Sequence, residues 1–175
     1  FRIKVPCRAI PLALLGVALL FGAKQAAAQT ASMTVELNPA ADTTLFERFP
    51  NNNFGNGRLA VGTTASNHRT RGLLRFDVAG SVPAGSVIES ATLTFRVTKT
   101  PRTGGSPSDF EVRRVLRSWN EGTKAGETTG NTASAGETTW IARAQGSETW
   151  STPGGAAGTD FADAISGEVA VAGLG

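Results

Sequence analysis

The clearest pattern in the chain is a strict alternation of apolar and polar residues in two central segments. In residues 73–78 (LLRFDV), the second Leu, the Phe and the Val share one face, and Arg75 lies on the other. Residues 91–98 (ATLTFRVT) alternate without a break, with Thr and Arg96 on the polar side. Because successive side chains of a strand point to opposite faces, both segments are predicted to be half-buried strands with one face in solvent.

Shorter segments of the same type lie on both sides of these two. They cover residues 33–37, 43–46, 58–62, 110–116 and 139–142. The fourth changes register after Val112, which predicts a β-bulge there. Gly, Asn and Pro separate the segments, as in the run 51–57 (NNNFGNG) and the connector 79–86, and these residues favour turns. No segment has the periodicity of a long amphipathic helix, so we predict an all-β fold of the β-sandwich type.

Regular alternation is lost in the second half of the chain, between residues 118 and 158. Residues 122–136 are rich in Gly, Thr, Ala and Ser, which indicates a long loop. Loops of this length usually carry a function or are disordered. A further strand pattern starts at residue 168 and runs to residue 175. We therefore interpret the domain as truncated at its C-terminus and expect further domains beyond residue 175.

Residues 1–28 have the features of a secretory signal peptide. Arg2, Lys4 and Arg8 form a basic start, residues 9–23 are almost entirely apolar, and residues 26–28 (AAA) supply an A-x-A cleavage site. We predict a signal-peptide helix over residues 1–28, followed by one domain over residues 29–175 that is secreted to the extracellular space or the cell surface. The alternative is an uncleaved N-terminal anchor. The apolar run is shorter than the roughly 20 residues that a membrane-spanning helix needs, and we expect no membrane span in the mature chain.

Removal of this leader changes the charge and the cysteine content. The 17 basic residues fall to 13, because Arg2, Lys4, Arg8 and Lys24 are lost, whereas all 14 acidic residues remain. The mature chain is therefore close to neutral, and we expect no nucleic-acid partner, since such partners need a clustered basic face. Cys7 is the only cysteine and leaves with the leader. Disulfides, a thiol nucleophile and Cys-ligated metals are excluded from the mature domain.

Catalytic motifs are missing from the sequence. The single histidine, His68, lies in a polar loop over residues 66–70, whereas a catalytic triad needs an oriented, buried histidine. No G-x-S-x-G, P-loop, G-x-G-x-x-G or H-E-x-x-H sequence occurs. We predict that the chain is not an enzyme. A pair of carboxylates as in glycosidases stays open, because their separation is a three-dimensional property.

Calcium is the metal that the sequence leaves open. Calcium binds several oxygen ligands from loop carboxylates, amides and carbonyls. Asp42 and Asp77 are the candidate ligands for a structural calcium ion, with residues 51–53 and Asp160 as further oxygen sources. No D-x-D-x-D-G loop is present. The alternative is that these acids cap turns or are solvated.

Three tryptophans in the loop-rich half are the candidates for ligand binding. An indole presents a flat apolar face that can stack on a sugar ring. We predict this role for Trp119 and Trp150, whereas Trp140, in the short apolar segment 139–142, fits a core position better. The alternative for all three is that they anchor the long loop to the core. Three arginines, Arg75, Arg96 and Arg113, are predicted to pair with anionic sugars; their alternative is a solvated sheet face.

Several segments, taken in order, resemble the DNRLRE domain family. They are residues 41–44 (ADTT), 53–55 (NFG), 59–62 (LAVG), 71–77 (RGLLRFD), 82–93 (VPAGSVIESATL), 118–122 (SWNEG), 136–140 (GETTW) and 150–155 (WSTPGG). The resemblance implies a jelly-roll-like β-sandwich of secreted proteins, grouped with carbohydrate-binding modules. Related domains accompany polysaccharide lyases, and others belong to large surface proteins. Phe46 and Phe54 stand where many members have Tyr, so a phenol hydroxyl is missing at both positions.

Together these observations predict a non-catalytic carbohydrate-binding module of a secreted protein. Its expected partner is a polysaccharide, with anionic polymers included because of the arginines. One alternative is a structural or adhesion spacer in a large cell-surface protein. A second alternative is an accessory module of a secreted polysaccharide lyase or hydrolase.

Overall fold

The computed structural model describes residues 2–9, 32–100 and 108–171. The chain divides into two compact units, which we describe separately. Unit 1 comprises Phe1–Pro39 and Phe76–Phe95, and unit 2 comprises Ala40–Arg75 and Arg96–Gly175. Strands dominate both units, and the one helix of the described residues has four residues. The all-β prediction is confirmed.

The elements have the following bounds in chain order. They are β1 (Arg2–Ala9), β2 (Ser32–Leu37), β3 (Ala41–Phe46), β4 (Asn52–Asn53), β5 (Gly62–Thr63), β6 (Arg69–Arg75), α1 (Val78–Ser81), β7 (Ser86–Ile88), β8 (Thr92–Thr94), β9 (Ser108–Val115), β10 (Asn131–Thr132), β11 (Ala142–Ala144), β12 (Glu148–Thr149) and β13 (Phe161–Val171). No helix among these elements is long and apolar enough to cross a membrane.

Unit 1 contains a four-stranded antiparallel sheet organised around β1. Strand β2 pairs with one edge of β1, and β7 and β8 pair with the other. Val5 and Cys7 point into the interior and are 2% and 0% exposed. The predicted signal-peptide helix is therefore wrong for Arg2–Ala9, because the alternation of Ile3, Val5 and Cys7 suits a strand with one buried face. Most of the predicted apolar run lies outside the described residues.

The segment that joins the two units follows the predicted pattern only in part. Strand β6 ends at Arg75, before the predicted end of the alternating segment at residue 78. Helix α1 follows, and the Asp77 carboxylate accepts a hydrogen bond of 2.9 Å from the Gly80 N–H, which caps the helix. The long alternating segment at residues 91–98 pairs only over Thr92–Thr94.

Unit 2 contains a three-stranded antiparallel sheet in the order β3-β6-β5. Strand β3 pairs with β6 along its whole length, from Ala41 opposite Arg75 to Phe46 opposite Thr70. Five of the six β3 residues are buried, so both faces of this strand are covered. Of the strand predicted at residues 58–62, only Gly62 is in a strand, the two-residue β5, and residues 58–61 are not in a strand.

Strands β9 and β13 form a separate antiparallel ribbon in unit 2. The ladder shifts register where Val112 and Arg113 face Gly167 and Ile165. The bulge predicted after Val112 is thus at the right place in the ladder, but the extra residue is on the partner strand β13.

The core of unit 2 is built around the three tryptophans. Trp119, Trp140 and Trp150 form one cluster with Ala41, Leu45 and Leu73 from β3 and β6, and Val115 and Ile141 pack against it. The tryptophans come from the irregular half of the chain, so they attach the long loops to the sheet. Two short ladders, β4 with β10 and β11 with β12, and one isolated β-bridge between Ala157 and Phe161 provide strand pairing in these loops.

Candidate functional site

The structure places all three indoles inside the protein. Trp119, Trp140 and Trp150 are 6%, 3% and 5% exposed. The Trp150 Nε1–H donates a hydrogen bond of 3.0 Å to the Thr139 carbonyl, which satisfies its polar edge within the core. A ring that stacks on a sugar needs a free face, so the prediction of stacking by Trp119 and Trp150 is corrected to a core role. The core position favoured for Trp140 agrees with the structure.

Arginines from β6 lie over these indoles. The Arg69 and Arg71 guanidinium carbons are 5.4 Å and 5.5 Å from the centre of the Trp140 ring, and that of Arg75 is 5.3 Å from the Trp119 ring. Alternate positions of a strand share a face, so these three arginines and the buried Leu73 lie on the same side of β6. Their stems and charged ends cover the tryptophan cluster by cation–π contact.

The three arginines predicted to bind sugar have separate roles. The Arg75 Nη1 donates to the Trp119 carbonyl at 3.2 Å, although the residue is exposed. Arg113 is paired with Glu111 at 2.8 Å and donates to the Ala162 and Asp163 carbonyls, so it supports the β9–β13 ribbon. Arg96 is exposed and lies shortly before residues 101–107, which the structure does not describe.

Asn53 organises the loops of unit 2. It is fully buried, and its Nδ2 donates to the carbonyls of Glu121 at 2.6 Å and Thr138 at 2.9 Å. Its Oδ1 accepts from the N–H groups of Gly55 at 3.0 Å and Lys124 at 3.2 Å. The side chain thereby uses both donor hydrogens and both acceptor positions. One amide thus joins the Asn/Gly turn at residues 51–57 to two parts of the long loop.

A buried carboxylate fixes the same loop internally. The Glu137 Oε1 accepts from the Thr123 N–H at 2.8 Å and its hydroxyl at 3.0 Å, and Oε2 accepts from the Ser134 N–H at 2.7 Å. Burial raises the pKa of Glu137, but these hydrogen bonds outweigh it and hold the pKa below its usual 4.5. The loop is therefore held by a charged group that stays ionised at neutral pH.

Backbone packing in this region is unusually close. Gly130 has a φ of +67°, and a Cβ at this position would lie 2.0 Å from the Asn53 carbonyl oxygen. Only glycine combines this conformation with this approach. The long loop therefore packs closely against the 51–57 turn.

The two anchored loops line an open surface depression of about 480 Å³. The 51–57 turn and the residue after it contribute Phe54, Asn56, Gly57 and Arg58 to the lining. The long loop contributes Gly126 and Glu127. Arg58 and Glu127 are exposed, and neither forms an ion pair with another described residue. A guanidinium, a carboxylate and an amide thus converge on one solvent-accessible space. We name this space the loop cavity.

The sequence pattern did not indicate these residues. The run NNNFGNG is predicted to form a turn, with residues 51–53 as possible calcium ligands, and Arg58 is predicted to begin a strand. One signal was available, because three consecutive asparagines beside glycine exceed what a single turn needs. The position of residues 126–127 across the cavity follows from tertiary packing and has no local signal.

The two predicted calcium ligands belong to different units, since Asp42 is in unit 2 and Asp77 is in unit 1. Asp42 lies near Glu121, whose Oε1 accepts the Asp42 N–H at 2.8 Å. Burial raises the pKa of Asp42, and the Glu121 charge adds to this effect. Within the described ranges, no group of three or more His, Cys, Asp or Glu residues could hold a metal ion. The calcium site stays a prediction without support from the arrangement of these acids.

Comparison with known protein families identifies a family that the chain matches. A family model described as carbohydrate-binding module family 96 matches residues 33–152, which is more than half of the chain. The matched range contains the 51–58 turn, the long loop and all three tryptophans. Comparisons with curated proteins and with solved structures gave no significant match.

Proposed function

The chain belongs to carbohydrate-binding module family 96, and from that membership we propose that it binds a polysaccharide, without catalysis, at the loop cavity of unit 2. The observation that carries the proposal is the convergence of Asn56, Arg58 and Glu127 on one cavity inside the range that the family model matches. This proposed site replaces the site predicted at Trp119 and Trp150, because both indoles are buried in the core.

The chemistry of the loop cavity suits a sugar. Sugar hydroxyls both donate and accept hydrogen bonds; Glu127 can accept from them, Arg58 can donate to them, and Asn56 can do both. Its volume of about 480 Å³ lies within the range of roughly 300–1,000 Å³ for small-ligand sites. The space is therefore suited to a short segment of a chain that continues into solvent on either side.

We propose an acidic polysaccharide as the first ligand class to test. Arg58 has no carboxylate partner among the described residues, and a planar guanidinium pairs with a carboxylate through two parallel hydrogen bonds. A uronic-acid carboxylate beside Arg58 would supply that partner. Glu127 would then accept from hydroxyls of the same or the neighbouring ring.

The proposal includes export, because polysaccharides of this kind lie outside the cell and residues 1–28 carry the predicted leader. It is compatible with an accessory module of a secreted polysaccharide lyase or hydrolase. A structural or adhesion spacer in a surface protein is the competing function, and it predicts no affinity for any glycan.

Affinity electrophoresis of the full chain tests the proposal. Gels contain either neutral polysaccharides or uronic-acid polymers, with a non-binding protein as the mobility reference. We expect retardation in a uronic-acid gel, a loss of most of it in Arg58→Ala, and no change in Arg114→Ala, an exposed arginine outside the cavity. Retardation in none of the gels, or equal loss in both variants, contradicts the proposal.

A further inference from the structure

Every strand pair in the sheet of unit 1 includes β1. Strand β2 pairs with β1 from Ile3 opposite Leu37 to Arg8 opposite Ser32, while β7 and β8 pair with its other edge. In the described part of the chain, β2, β7 and β8 have no other strand partner. Without β1, this sheet would retain none of its ladder hydrogen bonds.

β1 also supplies much of the buried apolar surface of unit 1. The buried apolar residues of this unit's described part are Val5, Cys7 and Leu37, and two of the three belong to β1. Removing the strand would expose Leu37 and leave the β1-facing edges of β2 on one side and of β7 and β8 on the other without a partner. We call the space between these edges the groove, and an incoming strand would have to re-form it. Both sides of that groove would present unpaired backbone N–H and C=O groups, which favour pairing with another strand.

The charges along the groove match those of β1. Glu36 of β2 is 2.9 Å from the Lys4 Nζ and 3.6 Å from the Arg2 Nη1, and Glu89 is 3.5 Å from the Arg8 Nε. The groove therefore has an acidic residue on each side of its apolar centre. A strand with basic residues near both ends and apolar side chains at two alternate central positions fits it.

We infer that unit 1 is a strand-accepting site. In this chain β1 fills the site. Once the predicted cleavage after Ala28 removes β1, a partner polypeptide fills it with an extended, basic segment of the same alternating pattern. The incoming strand runs antiparallel to β2, as β1 does. Its backbone supplies the hydrogen bonds, and its two apolar side chains occupy the positions of Val5 and Cys7, as in binding by β-strand addition. This inference is independent of the carbohydrate proposal, since it concerns unit 1 alone.

Strand exchange in the full chain tests this inference. A recognition site for a sequence-specific protease is inserted after Ala28. While the chain is intact, the covalent link keeps β1 at a high effective concentration beside its partners, and cutting the chain removes this advantage. The probe is a dye-labelled synthetic peptide with the sequence of Arg2–Ala9 carrying Cys7→Ala. We expect this peptide to bind the cut chain, measured by fluorescence anisotropy, and not the uncut chain. The matched control peptide carries Val5→Asp in addition and should not bind.

Cys7 gives a second readout, because it is the only cysteine of the chain and is fully buried. We expect its reaction with a thiol reagent to be slow in the uncut chain and to accelerate by about tenfold or more when the peptide displaces β1 from the cut chain. Glu36→Lys in the chain should weaken peptide binding. Failure of the peptide to bind the cut chain, or reaction of Cys7 in the uncut chain at the rate of a free thiol, overturns the inference.

Discussion

Asn53 and Thr138 lie 85 residues apart in the chain and are joined by a buried hydrogen bond of 2.9 Å from the Asn53 Nδ2 to the Thr138 carbonyl. The same amide group reaches the Glu121 carbonyl. These contacts hold the long loop against the 51–57 turn, and residues of both segments line the loop cavity. We therefore expect the stability of the loops and the proposed glycan binding to depend on this one side chain.

Asn53→Ala should destabilise unit 2 strongly. The substitution removes four hydrogen bonds and leaves buried carbonyls without a donor, which costs about 3 kcal/mol in the free energy of unfolding. Urea denaturation followed by tryptophan fluorescence measures this change. Asn51→Ala, at an exposed position of the same turn, is the control and should change stability by less than about 0.5 kcal/mol. Similar values for both variants would refute the anchoring role of Asn53.

Two glycine substitutions separate backbone conformation from steric fit. Gly130 and Gly146 both have positive φ, at +67° and +84°. A Cβ at Gly130 would collide with the Asn53 carbonyl oxygen, whereas a Cβ at Gly146 meets nothing within 4 Å. Gly146→Ala should cost about 1 kcal/mol, and Gly130→Ala at least about 2 kcal/mol more. Thermal unfolding of both variants checks this, and equal costs would show that the loop is not packed against Asn53.

Trp150→Phe tests whether this residue belongs to the core or to a sugar site. The change removes the hydrogen bond to the Thr139 carbonyl and part of the buried ring, so we expect a loss of about 1–3 kcal/mol in stability. Glycan affinity of the folded variant should stay at the wild-type level, measured by calorimetry at a temperature where both proteins are folded. Reduced glycan affinity with unchanged stability would show that Trp150 contacts the glycan and is not a core residue.

The lowered pKa of Glu137 predicts how the stability of the fold depends on pH. Its pKa is lower in the folded chain than the usual 4.5, so its ionised form is favoured by folding. The stability it contributes is fully present above about pH 4.5 and is lost as pH falls through its folded-state pKa. Glu137→Gln should be less stable than the wild type by about 1–2 kcal/mol at neutral pH, with a difference that shrinks in acid.

Denaturation curves between about pH 7 and about pH 3 measure this trend. Glu127→Gln is the matched control, because Glu127 is exposed and no described residue forms an ion pair with it. Its stability should follow that of the wild type across the range. A constant difference between Glu137→Gln and the wild type at every pH would contradict the role assigned to the Glu137 charge.

The sequence predicts strands correctly where apolar and polar residues alternate locally. Residues 33–37 and 110–116 coincide with β2 and β9 because apolar side chains recur at every second position. Arg2–Ala9 also alternates, through Ile3, Val5 and Cys7, but its basic residues led to the prediction of a leader helix. Those charges pair with Glu36 and Glu89, which the local sequence cannot show.

The site was harder to predict because it depends on packing. Alternation on β6 placed Arg75 on a solvent face, yet this face lies against the tryptophan cluster, because an arginine can cover an indole with its stem and charge. Loop tryptophans were expected to bind sugar, but they fill the core that the short strands leave open. Arg58 and Glu127 come from two separate loops and line one space, and such a long-range arrangement has no periodic signal in the sequence.

NMR titration of the full ¹⁵N-labelled chain with uronic-acid oligosaccharides tests most directly whether the loop cavity binds glycan. We expect saturable amide shifts at Asn56, Arg58, Gly126 and Glu127, with the indole N–H signal of the buried Trp150 unchanged. Arg58→Ala should weaken these shifts at every oligosaccharide concentration. Absence of shifts with all oligosaccharides tested, or shifts centred on the tryptophans while the cavity signals stay fixed, would contradict the account.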